Sequence, residues 1–425
     1  MKEVFCIEDT LINRISYYLS LAFLVALPFD LFYSEMILVC LALHTIIQAD
    51  WRKPFRIRRS LLLVVAIYAV TMIGTLYTSD LAQAWKDWEK QLALVLFPLI
   101  FSMLRLDLGK YKFPLMKAFA FSCLLTSLYL YGDALMTIRF NGVSPRLLFT
   151  PPFMSHNFSR PIDLHATYFS MYIAISVATF ACLFIRSRSS MGRWFYALAS
   201  LALLAAMLQL ASRAVCIALL IGLATLPFFL VTTRRAWRFV LVALPLSMGL
   251  VWAMGRIGGL HERYISGLKE DLSVSAEEPG IVEPRLVRWN CTLDLIRARP
   301  LTGYGTGAEI KQLKEVYFDR HLYSSYVHEL NAHSEYLSFL LKTGPLGLIV
   351  FLTLLGTAVF TALRTRDALF YAFCVIVLCV SFSENILDTN KGIFFFAFFT
   401  SFFFTILPPN PRLEPNPRPA PTTIA

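Results

Sequence analysis

The residues whose types and spacing suit chemistry are three arginines, two histidines and a glutamate: Arg213, Arg285, Arg288, His165, His333 and Glu335. A planar guanidinium binds phosphate oxygens two at a time. Arg285 and Arg288 are three apart and share a helix face. Two like charges there repel slightly, and a bound diphosphate would remove that cost. Arg213 interrupts, with Ser212, an otherwise unbroken apolar run. A charge held at membrane depth is costly unless it is paired or reaches the surface. It reads either as a phosphate anchor or as a side chain that snorkels to water. His333 titrates near neutral pH and can serve as a general base. Glu335 follows two residues later, points elsewhere on a helix, and can orient a loop or an acceptor. The plain alternative for both is a polar rim at a helix entrance. His165, in DLHATYFSMY, and Glu384 and Asp388, in SENILDTNKG, would complete a ring round one outward-facing cavity if the bundle closes. Gly303, Gly305 and Gly307 form either an anion-binding nest or simply a turn.

No DxD carboxylate pair, no His/Cys group at metal spacing, no GxxxxGK[ST] loop and no GxSxG turn occurs in the chain. Neither a metal nor a nucleotide cofactor is therefore expected.

The elements that must position these residues are membrane helices. Hydrophobic residues make up 57% of the chain and charged ones 16%, where a soluble domain has about a quarter charged. Apolar runs lie at Ile15–Phe29, Leu31–Gln48, Leu61–Thr78, Leu92–Leu104, Phe113–Thr137, Ala166–Ile185, Trp194–Ala211, Ala214–Val231, Phe239–Met254, Pro345–Leu363, Leu369–Phe382 and Ile393–Leu407. The expected fold is an all-α polytopic membrane protein of about twelve spans. It forms a single integral membrane domain over residues 1–425. One large helical loop, 256–344, lies between the ninth and tenth spans. A polar, Pro-rich tail at 408–425 is expected to be disordered and cytoplasmic.

Charge sets the orientation. The exits from the even-numbered spans are short and basic, as in Arg52, Lys53, Arg56, Arg58 and Arg59, or Arg234, Arg235 and Arg238. The positive-inside rule then puts both termini in the cytoplasm and the large loop outside. Parity also requires Trp194–Val231 to be two spans turning at Ser212–Arg213. The net charge of +11 is accounted for by these loops. No basic face interleaved with aromatics is present, so a nucleic-acid partner is not expected. The eight cysteines fall mostly inside apolar runs and read as small buried side chains. The acidic N-terminus lacks the pattern of a cleaved signal peptide. Within the large loop, helices are expected at Arg285–Arg297, Glu309–Tyr317 and Asn331–Lys342. Thr78–Gln91, with Trp85 and Trp88, reads as a helix lying in the interface.

The stretches SRAVCIALLIG, PRLVRWNCTLDLIRARPLTGYGTG, HSEYLSFLLKTGPLGLIVFL and SENILDTNKGIFFFAFF, in this order and spacing, resemble the bacterial O-antigen ligase and polymerase superfamily. The similarity covers about Leu164 to Leu407. It implies a twelve-span inner-membrane glycosyltransferase working on the periplasmic side, without metal or nucleotide. Its donor would be a glycan on a polyprenyl (undecaprenyl) diphosphate. Its acceptor would be lipid A–core for a ligase, or another lipid-linked glycan for a polymerase. The family's arginine after the seventh span falls on Arg213 and its loop arginine on Arg285, with Arg288 a second. Its loop histidine falls on His333, followed here by Ser334 where the family often has Asn. The resemblance implies that the arginines grip the leaving diphosphate and that His333 takes the acceptor proton. A single displacement would invert the anomeric centre. The single large late loop favours ligase over polymerase. A protein glycosyltransferase would more often carry an extra soluble domain. A lipid-linked sugar transporter is the rival of another class, but no internal repeat is apparent.

Overall fold

The computed structural model describes residues 2–50, 52, 57–230, 249, 256, 258–271 and 283–406. Among them all regular structure is helical, as lipid demands of a chain that must pair its own backbone amides. Every expected span other than the ninth has a helix over it. These are α1 (Leu11–Ala26), α2 (Leu31–Gln48), α3 (Arg59–Thr75), α5 (Ala93–Met103), α6 (Lys112–Phe140), α7 (Ala166–Arg186), α8 (Ser190–Leu210), α9 (Arg213–Leu230), α13 (Glu335–Arg364), α14 (Ala368–Val380) and α15 (Asn390–Thr405). The surface helix α4 (Leu81–Gln91) precedes α5. Three helices of the large segment, α10 (Arg285–Ala298), α11 (Ala308–Asp319) and α12 (Tyr323–Val327), precede α13. The ninth expected span, Phe239–Met254, the basic residues Lys53, Arg56, Arg234, Arg235 and Arg238, and the tail 408–425 lie outside the described residues.

Five of these helices are long and apolar enough to cross a membrane: Leu31–Gln48, Lys112–Phe140, Ala166–Arg186, Ser190–Leu210 and Glu335–Arg364. Leu11–Ala26, Arg59–Thr75, Arg213–Thr225 and Ala368–Val380 are shorter apolar helices. Among the described residues, fewer helices than the expected twelve are thus of spanning length. Ala93–Met103 shows why: its 11 residues reach only about 16 Å, roughly half the hydrocarbon thickness.

The helix ends nevertheless sort to two ends of the bundle. At one, Tyr111 Oη donates to Asp9 at 2.9 Å, Lys112 pairs with Asp367, Arg186 stacks on Phe113 and Arg58 donates to Phe404 O. At the other, Lys391 donates to Leu27 O and Gln91 to Leu387 O. Between the ends runs a packed core. Helix α7 is buried along almost its whole length, and α15 carries a phenylalanine ladder. There Phe398 meets Phe23, Phe97 and Phe101 at 5.3–5.4 Å. In lipid such packing, and not water exclusion, holds helices together.

The turn at 211–213 is as parity requires. Helix α8 ends at Leu210, Ala211 takes a left-handed conformation (φ 54°), and α9 starts at Arg213. Helix α8 packs on α7, while α9 packs on α14 and α7. Arg213 is thereby delivered to the end of the bundle opposite Lys112.

The glycine run resolves as a close-packed turn. Tyr304 N and Gly305 N donate to Leu341 O and Lys342 O at 2.9 and 2.8 Å, and Thr306 N donates to Gly74 O. These amides are spent on backbone carbonyls. A Cβ on Gly305 would lie 2.4 Å from Thr78 Cα, and one on Gly344 would lie 2.2 Å from Leu301 O. The glycines are there because two backbones touch. Gly344 (φ 63°, ψ −159°) also breaks α13 into an outer piece and a spanning piece.

Candidate active site

Four separate elements deliver polar groups to one cavity of about 360 Å³ at the end of the bundle that holds Arg213. Helix α9 brings Arg213 on its first turn. Helix α10 brings Arg285 and Trp289. The loop before α7 brings His156, and the α14–α15 connector brings Glu384. Ile217, Leu268 and Phe382 make the apolar part of the wall. Arg285 Nη2 lies 3.4 Å from Glu384 Oε1, which also accepts from Thr167 Oγ1. Burial pushes the Glu384 carboxyl up, against the opposing pull of Arg285.

The ring of His165 lies beside that of His156, centroids 4.2 Å apart. His165 is the N-cap of α7, its Nδ1 accepting from Thr167 N. Burial, helped by the Arg285 charge, lowers its pKa to about 4. Arg288, one turn beyond Arg285, is buried and does not line the cavity. Its charge reaches His333, Tyr317 and Glu384.

His333 is set by its backbone. The helix expected from Asn331 starts only at Glu335. Residues 331–334 are irregular, and His333 adopts φ 48°. Three fixed bonds hold this bend. Trp289 Nε1 donates to Ala332 O at 2.9 Å, Ala332 N donates to Glu309 at 2.9 Å, and His333 N donates to Asn331 Oδ1 at 3.0 Å. The same Asn331 oxygen contacts His333 Nδ1. An oxygen that already accepts from an amide can only accept again, so Nδ1 carries the proton and Nε2 keeps a free lone pair. Burial holds the imidazole well below its usual pKa. The charges of Arg288 and Arg285, then those of His165 and His156, push the same way. Burial and the two arginines thus favour the neutral form of His333.

Arg213 and Arg285 therefore line one cavity. Arg288, His165 and His333 do not line it but are linked to it by charge, Arg285 acting on both histidines and Arg288 on His333 and Glu384. Glu335 lies elsewhere. It begins α13 with its side chain buried and turned into a separate polar cluster, where Oε2 accepts from Leu387 N at 2.9 Å. The expectation that it lies two residues round a helix from His333 fails, because His333 precedes the helix. Sequence reasoning missed His156 and Trp289. The signal for His156 was a histidine in the proline-rich loop between α6 and α7. For Trp289 there was none. Among the described residues no three His, Cys, Asp or Glu side chains assemble as a metal site.

Residues 198–352 match the Wzy_C family model, O-antigen ligase. The resemblance to the O-antigen ligase superfamily is thereby shown over that segment. It contains Arg213, Arg285, Arg288, His333 and Glu335, while His165 and Glu384 flank it. No curated protein matches the chain. The family is that of membrane enzymes of O-antigen ligase or polymerase type, and the apolar helices agree with a membrane protein.

Proposed function

We propose that the chain is a metal-independent glycosyltransferase of the O-antigen ligase type. It moves a glycan from a polyprenyl diphosphate to lipid A–core at the periplasmic side of the bacterial inner membrane. The observation that carries this reading is the meeting of Arg213, Arg285 and His156 on one cavity with a partly apolar wall, with His333 and His165 in the field of Arg285. In this reading the bundle spans twelve times with both termini in the cytoplasm. Segment 256–344 faces outward, and the tail 408–425 lies inside.

The chemistry follows from charge. As the bond from sugar C1 to phosphate oxygen breaks, negative charge builds on the diphosphate. Guanidiniums fixed around it stabilise that charge more than the ground state, which lowers the barrier. The acceptor hydroxyl attacks C1 from the opposite face, and His333 Nε2 takes its proton. The neighbouring arginines keep His333 unprotonated while the site is empty. Arrival of the anionic diphosphate offsets them and strengthens the base when it is needed. Glu335 acts through the fold and not on substrate.

The test is the surface glycolipid ladder of a deletion strain, complemented with wild type, His333→Ala or Arg213→Ala. Loss of all capped lipopolysaccharide with accumulation of lipid-linked polymer, unrescued by either variant, is expected. Core carrying a single repeat unit would instead mean polymerase, which uses the same donor. Full rescue by His333→Ala would remove it as the base.

A further inference from the structure

The outer segment carries a second and larger concavity, about 760 Å³, on the exposed face of α11. It is not lined by any residue of the cavity described above. Its character is the opposite. Asp80, Glu315, Asp319 and Glu329 line it against Lys311 and Lys314, a formal balance of −2 from four carboxylates and two ammonium groups. Both lysines are engaged: Lys311 donates to Ser79 O at 3.2 Å, and Lys314 pairs with Glu329 at 2.7 Å and lies over the Tyr326 ring. Two aromatic rings stand in the wall, Phe318 and Tyr326, with centroids 5.5 Å apart at 53°. Phe318 is 55% exposed.

The groove is rigid. Thr78 Oγ1 donates to Thr306 O at 2.6 Å, and a Cβ on Gly307 would lie 2.5 Å from Ala84 N. Helix α11 is thus clamped against the start of α4. The same helix supplies Glu309 to the Ala332 amide, so groove and His333 ride on one frame.

An excess of carboxylates turns away diphosphate and phosphorylated lipid. A flat aromatic face beside unengaged carboxylate oxygens matches a polyhydroxylated, uncharged ligand. The ring covers C–H faces, and the carboxylates accept from vicinal hydroxyls. We propose that this groove binds uncharged sugar units of the transferred glycan, away from the diphosphate end. This inference rests on the glycan-transfer reading.

The experiment uses the full chain in nanodiscs and the host's own glycan, cut from its lipid carrier by mild acid so that no diphosphate remains. Saturation-transfer NMR reads binding. Wild type and Arg213→Ala should bind alike. Phe318→Ala, which opens no core because the ring is exposed, should weaken binding about tenfold, and Asp319→Asn several-fold. Absence of binding to wild type would overturn the proposal. So would binding unchanged in both groove variants, or binding lost in Arg213→Ala. The ladder assay separates the two ideas. Binding lost in the groove variants without any transfer by wild type removes the enzyme and keeps the groove. Transfer with groove-independent binding does the reverse.

Discussion

Two polar regions sit side by side at the same end of the bundle, and they handle charge in opposite ways. Around Lys342 everything is closed. Its ammonium pairs with Glu309 at 3.1 Å and Asp388 at 2.7 Å. Asn385 donates to Asp388 at 2.8 Å, and Glu335 accepts from Leu387 N. The void left there is only about 20 Å³, room for about one water. Around Arg213 the chain leaves about 360 Å³ open. Arg213, Arg285 and Glu384 line it. A buried ion network fixes a structure, whereas an open cavity lined by arginines can take an anion. The comparison explains why Glu335, so near His333 in sequence, belongs to the first region and not the second.

The sharpest way to break this contrast is to remove the reacting groups. His333→Ala and Arg213→Ala should each lower transfer by at least about a hundredfold while leaving the melting temperature in detergent nearly unchanged. Lys342→Met should do the reverse in kind. It strands Glu309 and Asp388, so it should cost on the order of 3–5 kcal/mol of stability, read as a fall in melting temperature. A stable Lys342→Met variant would mean that the network is not what holds the outer segment.

Gly344→Ala should cost on the order of 3 kcal/mol, from the positive φ and the contact with Leu301 O. Gly356→Ala, with open space around the added carbon, should be neutral or slightly stabilising. Equal behaviour of the two would sink the clamp. The smallest expected effect concerns pH. If His333 is the base as proposed, transfer needs its neutral form, whose pKa is held well below the usual 6.5, so kcat/KM should stay flat as pH falls through 6.5 and drop only in stronger acid. Arg285→Ala removes a repelling cation. The His333 pKa then rises, and the acid limb moves up toward 6.5, even though overall activity is lower. An unmoved limb would separate His333 from the rate-limiting proton transfer.

Much of the site was legible because its residues are chemically out of place. Arg213 interrupts an apolar run, Arg285 and Arg288 share a helix face, and His333 stands at the entrance to a span. His156 was not legible, because nothing in a proline-rich loop says which side chain will line a cavity. The helix start at Glu335 was missed because Ala332, in the irregular stretch before it, gains its bonds from Trp289 and Glu309, which are remote in sequence. Helices were placed well by hydropathy, and the short fourth run, Leu92–Leu104, is the short helix Ala93–Met103, packed against α15.

The sequence by itself determined an all-helical, apolar chain, the turn at Ala211–Arg213 and the identity of the cationic groups. Apolar period and charge placement are local properties, and no contact is needed to read them. Only the tertiary structure decided that the glycine run is a backbone clamp, that Glu335 accepts from Leu387 N, and that His333 lies in the field of Arg288 and Arg285. Each depends on atoms brought together across tens to hundreds of residues, such as Gly74 with Thr306 or Trp289 with Ala332, and no spacing along the chain encodes those distances.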